Sequence, residues 1–207
     1  MIIGVPKESY PGERRVALVP AVVPNLSKAG FKVVVEAGAG IEADYADAQY
    51  TEKGASLASG RAEVFANADI IVQVLCHGAN DLTGKADLPL LRKGQVLIGF
   101  LRPLGTAEVV QQVAQTGVKA FAVELIPRTT RAQSMDVLSS MATVAGYRAV
   151  LDAAENLPRI FPMLTTAAGT VTPARVLILG VGVLDLQQLL RHGGWAQWFP
   201  LMTSGRR

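Results

Sequence analysis

The hydrophobic residues of this chain form short β-branched runs that alternate with stretches of helical periodicity. The runs predict strands over Ile2–Val5, Lys32–Glu36, Asp69–Leu75, Val96–Phe100, Val118–Val123 and Arg175–Leu179. The stretches between them predict helices over Ala21–Ala29, Ala46–Lys53, Arg61–Asn67 and Ala107–Gln115. Strands that alternate with helices of about 10 residues indicate right-handed βαβ units and a parallel sheet. The predicted fold class is therefore α/β, with a Rossmann-like parallel sheet.

A longer helical pattern follows, from about Ser134 to Glu155. Its apolar residues recur at helical spacing, at Met135, Leu138, Ala142, Ala145, Ala149 and Ala153. We expect a loop over Pro158–Pro173 to connect this helix to the strand at Arg175. The pattern predicts a first α/β domain, a bridging helix and the start of a second domain.

Composition narrows the class of protein. Half of the 207 residues are hydrophobic and 18% are charged, which suits parallel strands that are buried on both faces. The net charge of +3 comes from scattered basic residues, so we expect no nucleic-acid surface. The lone cysteine, Cys76, excludes an intramolecular disulfide and fits a reducing cytosol. The start of the chain predicts no secretory signal, and the apolar stretch Ile160–Leu184 is too polar in places for a membrane span.

The strand at Arg175–Leu179 leads into the opening of a dinucleotide fingerprint. Gly180 and Gly182 occupy the first two glycine positions of G-x-G-x-x-G, but the third position holds Asp185. Too few residues follow to complete a βαβαβ cofactor half. The sequence therefore predicts a second NAD-binding Rossmann domain of which only the start is present.

Two polar segments could carry chemistry. The first, Pro6–Arg15, is a charged loop after the first strand, and its composition favours a solvated loop whose arginines pair with nearby acids. The second, Pro127–Asp136, lies at the start of the long helix, where Ser134 can cap the helix and Asp136 favours its positive end. Those roles leave Arg128, Arg131 and Gln133 unexplained, and their donors suit a pyrophosphate or a carboxamide. From the residues alone, a helix cap and a binding site remain equally open.

Neither a metal site nor a nucleophilic triad is predicted. Cys76 and His77 are adjacent, but no second cysteine and no suitably spaced histidine could complete a metal site. The other histidine, His192, lies near the end of the chain, so no Ser-His-Asp or Cys-His arrangement can be assembled.

Several motifs together resemble the alpha subunit of the proton-translocating pyridine nucleotide transhydrogenase, in its NAD(H)-binding domain. The most specific are Glu124-Leu-Ile-Pro-Arg-Thr-Thr-Arg-Ala-Gln-Ser-Met-Asp-Val-Leu-Ser-Ser140 and Thr143-Val-Ala-Gly-Tyr147. Leu164-Thr-Thr-Ala-Ala-Gly-Thr170 ahead of the glycine turn is shared as well. The resemblance extends from Ile2 to Val183.

The related alanine dehydrogenases have the same opening motifs but different substrate residues. Their lysine lies in a Lys-x-Lys-Glu-Pro segment, where this chain has Val72-Gln-Val-Leu-Cys-His-Gly78. Their histidine follows a Tyr-Leu pair, where this chain has Phe100-Leu-Arg-Pro103. Pyruvate would therefore lack a polar anchor and a general acid, which favours the transhydrogenase.

The resemblance implies hydride exchange between NAD(H) on this subunit and NADP(H) on the partner subunit, coupled to proton movement through a membrane domain. It implies no catalytic side chain and no metal, because hydride passes directly between two nicotinamide rings. The cofactor-binding residues that it implies are Arg128, Thr129, Thr130, Arg131, Gln133, Asp136, Ser139, Gly180, Gly182 and Val183. The implied partners are the transhydrogenase beta subunit, a membrane-domain subunit and a second alpha domain, at the cytoplasmic face of the inner membrane.

After Val183 the family continues Ala-Gly-Leu and an alanine-rich helix, whereas this chain reads Leu184-Asp-Leu186. Codons for Gln187–Trp195 can be chosen so that a shifted frame reads Ala-Ile-Ala-Thr-Ala-Arg-Arg-Leu, which is typical of such a helix. We therefore hypothesise that one base was lost at Val183 and that the last 24 residues are out of frame. A fragment of this kind is expected to bind NAD weakly or not at all.

The sequence thus predicts four segments: an amino-terminal domain over 1–133, a bridging helix over 134–157, the start of the NAD-binding domain over 158–183, and an out-of-frame tail over 184–207. Two alternatives remain open: an alanine dehydrogenase-like amino-acid dehydrogenase, and a non-catalytic assembly module.

Overall fold

The structure, a computed structural model, describes residues 1–105 and 107–175. The chain divides into two compact units, Met1–Ala132 and a second that begins at Gln133.

The first unit contains a six-stranded, entirely parallel sheet. Its strands are β1 (Ile2–Val5), β2 (Lys32–Glu36), β3 (Ser56–Ala58), β4 (Ile70–Leu75), β5 (Val96–Phe100) and β6 (Lys119–Ala122). They are ordered β3-β2-β1-β4-β5-β6, and every neighbouring pair is parallel. The prediction of a Rossmann-like parallel sheet is confirmed.

Short helices connect these strands. They are α1 (Val23–Lys28), α2 (Asp47–Glu52), α3 (Arg61–Asn67) and α4 (Ala107–Gln115), with 3₁₀ turns at Pro20–Val22, Ile41–Ala43, Gly84–Leu90 and Val123–Leu125. Gly30 and Gly54 follow α1 and α2 with φ of 85° and 94°, a conformation that only glycine adopts without strain. The predicted ends of these helices are therefore confirmed.

A hydrophobic cluster lies on each face of the sheet. On one face, Ile71 and Leu97 pack with the α3 residues Val64 and Phe65. On the other face, the cluster contains Val5, Val23, Val33, Val35 and Tyr50. Successive residues of a buried parallel strand point to opposite faces, so both faces must be apolar.

Gly4 of β1 allows α3 to pack closely on the sheet. A Cβ atom at this position would lie 2.6 Å from the Cβ of Ala68 and 2.8 Å from a methyl group of Val64. A side chain at residue 4 would therefore push α3 away from β1.

The second unit begins with the long helix α5 (Val137–Asn156) and continues with an antiparallel hairpin, β7 (Leu164–Thr166) and β8 (Gly169–Val171). The hairpin corrects the prediction of a loop over Pro158–Pro173. The predicted strand at Arg175–Leu179 lies almost wholly outside the described residues. The division into four segments stays a prediction.

Candidate cofactor site

Open parallel sheets usually bind ligands where the strand order reverses, at the carboxyl ends of the strands. Here the reversal lies between β1 and β4. The Glu8 carboxylate accepts hydrogen bonds from the backbone N–H groups of Val74 (2.6 Å) and Leu75 (3.1 Å), so the loop after β1 is bound to β4. Burial raises the pKa of Glu8, although the two backbone hydrogen bonds oppose that shift. Glu8 therefore has a structural role.

A second set of hydrogen bonds joins the loops that follow β1 and β4. The Ser9 hydroxyl lies 2.9 Å from the Thr83 hydroxyl and accepts from the Asn80 amide at 3.1 Å. Asn80 is 1% exposed, and its side-chain carbonyl accepts from the Thr83 backbone N–H at 2.9 Å. The crevice at the strand reversal is thus occupied by the protein's own side chains.

The arginines of the charged loop pair with acids, as predicted for a solvated loop. Arg15 lies 2.6 Å from a Glu13 carboxylate oxygen, and Arg14 lies 4.0 Å from Glu42. Burial would raise the pKa of Glu13, but the hydrogen bonds and charge of Arg15 outweigh burial and lower that pKa.

Beside the crevice lies a buried polar network that was not predicted from the sequence. The Arg61 guanidinium binds both carboxylate oxygens of Asp87, at 2.5 and 2.6 Å, and donates to the Lys7 carbonyl at 2.5 Å. The Gln73 amide donates to the same carboxylate at 3.0 Å. The one available signal was Gln73 itself, a polar residue within the apolar strand β4, which requires a buried partner.

Gln73 and Leu75 lie in the segment where alanine dehydrogenases are expected to have their substrate lysine. Gln73 is held by Asp87, and Leu75 presents an apolar side chain. Arg102, in the other expected substrate segment, adopts a φ of 51° and donates its backbone N–H to the Glu124 carboxylate. Gln73 and Leu75 therefore supply no counterpart to the lysine that would bind a keto acid.

The segment Arg128–Arg131 follows β6 at the carboxyl edge of the first unit. Glu124 positions its start, because the Glu124 carboxylate accepts from the backbone N–H groups of Leu101 (2.9 Å) and Arg102 (2.5 Å). Ala132 is buried and donates its N–H to the Thr129 carbonyl at 3.0 Å. Glu124 and Ala132 thus hold the two ends of the segment, and the polar side chains between them are exposed.

All four side chains of this segment are exposed, at Arg128, Thr129, Thr130 and Arg131. Within the described residues of the first unit, neither arginine makes an ion pair or a side-chain hydrogen bond. Their guanidinium groups therefore keep the donors that a phosphate ester needs.

The remaining predicted residues lie at the start of α5 in the second unit. Asp136 is the N-cap, because its carboxylate accepts from the Ser139 backbone N–H at 3.0 Å and from the Ser139 hydroxyl at 2.6 Å. This corrects the prediction that Ser134 caps the helix and that the helix begins there. A 3₁₀ turn over Thr130–Met135 precedes α5. An N-cap side chain accepts from a backbone N–H two or three residues ahead, and Asp136 does so at Ser139, so the helix begins at Val137.

Gln133 is exposed, and its side chain makes no hydrogen bond within the described part of the second unit. Asp136 and Ser139, by contrast, bind each other. The predictions for Gly180, Gly182 and Val183 fall outside the described residues.

Each unit by itself presents groups that could bind part of a dinucleotide. In the first unit, two exposed guanidinium groups and two hydroxyl groups are of the types that bind a pyrophosphate or a ribose. In the second unit, the exposed Gln133 carboxamide could pair with another amide. Within residues 1–105 and 107–175 no cluster of side chains could hold a metal ion, and none of the helices combines the length and hydropathy that crossing a membrane requires.

Comparison with known proteins identifies the family. Residues 4–145 match the model of the alanine dehydrogenase/PNT N-terminal domain, and residues 149–189 match the corresponding C-terminal domain. The chain belongs to the alanine dehydrogenase/PNT family.

Among individual relatives, the transhydrogenases are more similar to this chain than the alanine dehydrogenase is. The chain is 46% identical over 189 residues to the first part of NAD(P) transhydrogenase subunit alpha of Rhodospirillum rubrum, a match that covers 91% of this chain and 49% of the relative. A crystal structure of transhydrogenase from Sinorhizobium meliloti matches with a TM-score of 0.83 and 43% identity, over 91% of this chain and 55% of that chain. An L-alanine dehydrogenase structure matches with a TM-score of 0.78 and 30% identity, over 94% of this chain and 53% of that one. The chain therefore spans about half the length of these relatives.

Proposed function

We propose that this chain is the NAD(H)-binding alpha-subunit portion of a proton-translocating NAD(P) transhydrogenase. Hydride passes between NADH on this subunit and NADP on a beta subunit, coupled to proton translocation across the membrane. The observation that carries the proposal is the 46% identity to a transhydrogenase alpha subunit, together with the exposed arginines that follow β6.

Each predicted site residue has a binding or positioning role. The bound cofactor would supply the hydride, so the protein needs only to hold it and to orient it. Arg128 and Arg131 bind the pyrophosphate through charge-assisted hydrogen bonds, and the Gln133 amide holds the nicotinamide carboxamide in one orientation.

The other residues complete the site. The hydroxyl groups of Thr129 and Thr130 add hydrogen bonds to the same ligand. Asp136 and Ser139 fix the start of α5, and their contact with the cofactor remains part of the proposal. The glycine fingerprint assigns Gly180, Gly182 and Val183 to the pyrophosphate as well, because a glycine has no side chain to keep a ligand away from the backbone.

The proposed partners are the beta subunit, a membrane-domain subunit and a second copy of the alpha domain. Through them the chain would lie at the cytoplasmic face of the inner membrane. In the form given by this sequence the chain should bind NAD weakly, because Asp185 stands at the third glycine position of the fingerprint.

The decisive experiment uses the chain with its frame restored after Val183 and mixed with the beta subunit. NADH-dependent reduction of an NADP analogue should fall about 10- to 100-fold in Arg128→Ala, because that variant loses a charge-assisted hydrogen bond worth about 1.5–3 kcal/mol. It should fall about 3- to 10-fold in Gln133→Ala, which loses a neutral hydrogen bond worth about 0.5–1.5 kcal/mol. Arg14→Ala and Gln111→Ala remove the same side-chain types from other exposed positions and should leave the rate unchanged. Unchanged rates in Arg128→Ala and Gln133→Ala would refute the proposed site.

Two other functions are separated by parallel assays. The alanine dehydrogenase likeness predicts NADH oxidation with pyruvate and ammonia, and the apolar Leu75 predicts that this activity is absent. An assembly module would capture the beta subunit without binding NADH, which a pull-down and a calorimetric titration distinguish.

A further inference from the structure

Arg102, in the loop that follows β5, has a backbone conformation that its residue type disfavours. Its φ is 51°, in the left-handed region, and Pro103 follows it. Left-handed backbone is strained for an arginine, and a following proline normally selects an extended conformation. Among the residues that the structure describes, the one other non-glycine residue with a positive φ is Asp44, and aspartate tolerates this region. Glycine would occupy position 102 without strain, so a strained arginine here indicates that its side chain has a function.

Glu124 holds Arg102 in this conformation. One oxygen of the Glu124 carboxylate accepts hydrogen bonds from the backbone N–H groups of Leu101, at 2.9 Å, and Arg102, at 2.5 Å. The other oxygen, Oε2, is buried. The acid is therefore bound to the backbone of the loop, and the charge of the Arg102 side chain is left for another partner.

The stem of the Arg102 side chain lies against its own turn. The Gly105 N–H donates to the Arg102 carbonyl at 2.9 Å, which closes the turn. A Cβ atom on Gly105 would lie 3.1 Å from Cγ and 3.2 Å from Nε of Arg102, so the missing side chain of Gly105 makes room for the arginine. Arg102 is exposed, and among the described residues of the first unit its guanidinium makes no ion pair or hydrogen bond. All of its donors are thus available to an anion.

Arg102 lies at the same edge of the sheet as Arg128 and Arg131. Strands β5 and β6 are parallel neighbours, so the segments that follow them leave the sheet at one edge. Glu124, which binds the Arg102 N–H, precedes Arg128 by four residues, a span of at most about 14 Å. Three exposed guanidinium groups that have no acidic partner among the described residues of this unit are therefore concentrated at one edge.

We propose that Arg102 is a third anion-binding residue at this edge, which binds the phosphate groups of the dinucleotide together with Arg128 and Arg131. A guanidinium group binds phosphate oxygens through two parallel, charge-assisted hydrogen bonds, and the bound anion also relieves the repulsion among the three positive charges. Glu124 is the positioning residue, because it touches the backbone of Arg102 and not the ligand. The identity of the ligand rests on the proposed function, whereas the anion site does not.

The test measures the binding of inorganic pyrophosphate to the unmodified chain by isothermal titration calorimetry. Arg102→Gly removes the guanidinium group and the backbone strain together. Its affinity for pyrophosphate should fall about tenfold, the loss expected for one charge-assisted hydrogen bond, while its midpoint of urea unfolding stays the same or rises. A residue with only a structural role would not give these two results together.

Two further variants complete the experiment. Arg14→Gly removes an exposed arginine from a position where φ is not positive, and it should leave the affinity for pyrophosphate unchanged. Arg102→Lys keeps the positive charge without the planar pair of donors, and it should recover part of the affinity that Arg102→Gly loses. Three results would overturn the proposal: no binding of pyrophosphate to the unmodified chain, equal affinity in Arg102→Gly, or an equal loss in Arg14→Gly.

Arg128→Ala in the same titration distinguishes a failure of Arg102 from a failure of the proposed function. If Arg128→Ala weakens pyrophosphate binding and Arg102→Gly does not, the role of Arg102 is wrong and the proposed function is untouched. If both variants weaken binding, and the chain with its frame restored exchanges no hydride with the beta subunit, the anion site stands and the proposed function fails.

Discussion

Replacing Arg61 with alanine should destabilise the first unit more than any other single loss of charge in it. Asp87 is 4% exposed, and Arg61 supplies two of its hydrogen bonds, at 2.5 and 2.6 Å. In Arg61→Ala the carboxylate keeps only the Gln73 amide, at 3.0 Å, and the Lys7 carbonyl loses its donor as well. Removing one partner of a buried ion pair costs about 3–5 kcal/mol, because it leaves an uncompensated buried charge.

A loss of that size is large against the roughly 5–15 kcal/mol by which small domains are stable. Urea unfolding followed by far-UV circular dichroism should show a lower midpoint with little change in slope. Arg14→Ala is the matched control, since the Arg14 side chain is 78% exposed and lies 4.0 Å from Glu42. Exposed pairs of this kind contribute at most about 1 kcal/mol.

A triple variant should recover much of this loss. Arg61→Met with Asp87→Leu and Gln73→Met removes both charges and the buried amide that Asp87 satisfies, so no buried polar side chain of this network is left unpaired. If the free energy of unfolding of Arg61→Ala lies within about 1 kcal/mol of that of the unmodified chain, an uncompensated buried charge at Asp87 is not what destabilises the variant.

Three further predictions concern stability measured by the same unfolding experiment. Asp136→Ala should cost about 1 kcal/mol because α5 loses its cap, whereas Ser134→Ala should cost almost nothing. Gly4→Val should cost several kcal/mol through collision with α3, whereas Gly60→Val meets no atom within 4 Å; equal effects would contradict the packing argument. The raised pKa of Glu8 means that the folded state binds its proton more tightly, so stability falls as the pH rises above the ordinary value of 4.5. Glu8→Gln should therefore gain stability relative to the unmodified chain over that range, and a constant difference would contradict the shift.

Most of the first sheet could be predicted because its strands carry their own signal. Ile2–Val5, Lys32–Glu36 and Val96–Phe100 are β-branched runs with clear ends, and the structure gives them these same bounds. Strand β3 (Ser56–Ala58) was missed because three residues without a run of apolar side chains show no periodicity. The hairpin β7–β8 was missed for the same reason.

The polar contacts were harder to predict, because each one depends on residues distant in sequence. Arg61 and Asp87 are 26 positions apart, and no local pattern relates them. At the start of α5 both Ser134 and Asp136 were candidates for the cap, and only the position of the helix decides between them. Arg128 and Arg131 could be singled out from the sequence because they had no structural role in the pattern, and their part in a cofactor site stays a prediction.

The closed crevice between the ends of β1 and β4 affects how this fold could be redesigned. The hydrogen bonds of Ser9 and Asn80 fill the place where an open parallel sheet normally accepts a small molecule. A new ligand introduced there would have to replace each of those bonds, or leave the 1% exposed Asn80 amide unpaired. An engineer who wants to give the first unit an enzymatic activity of its own should therefore begin by shortening these two side chains together.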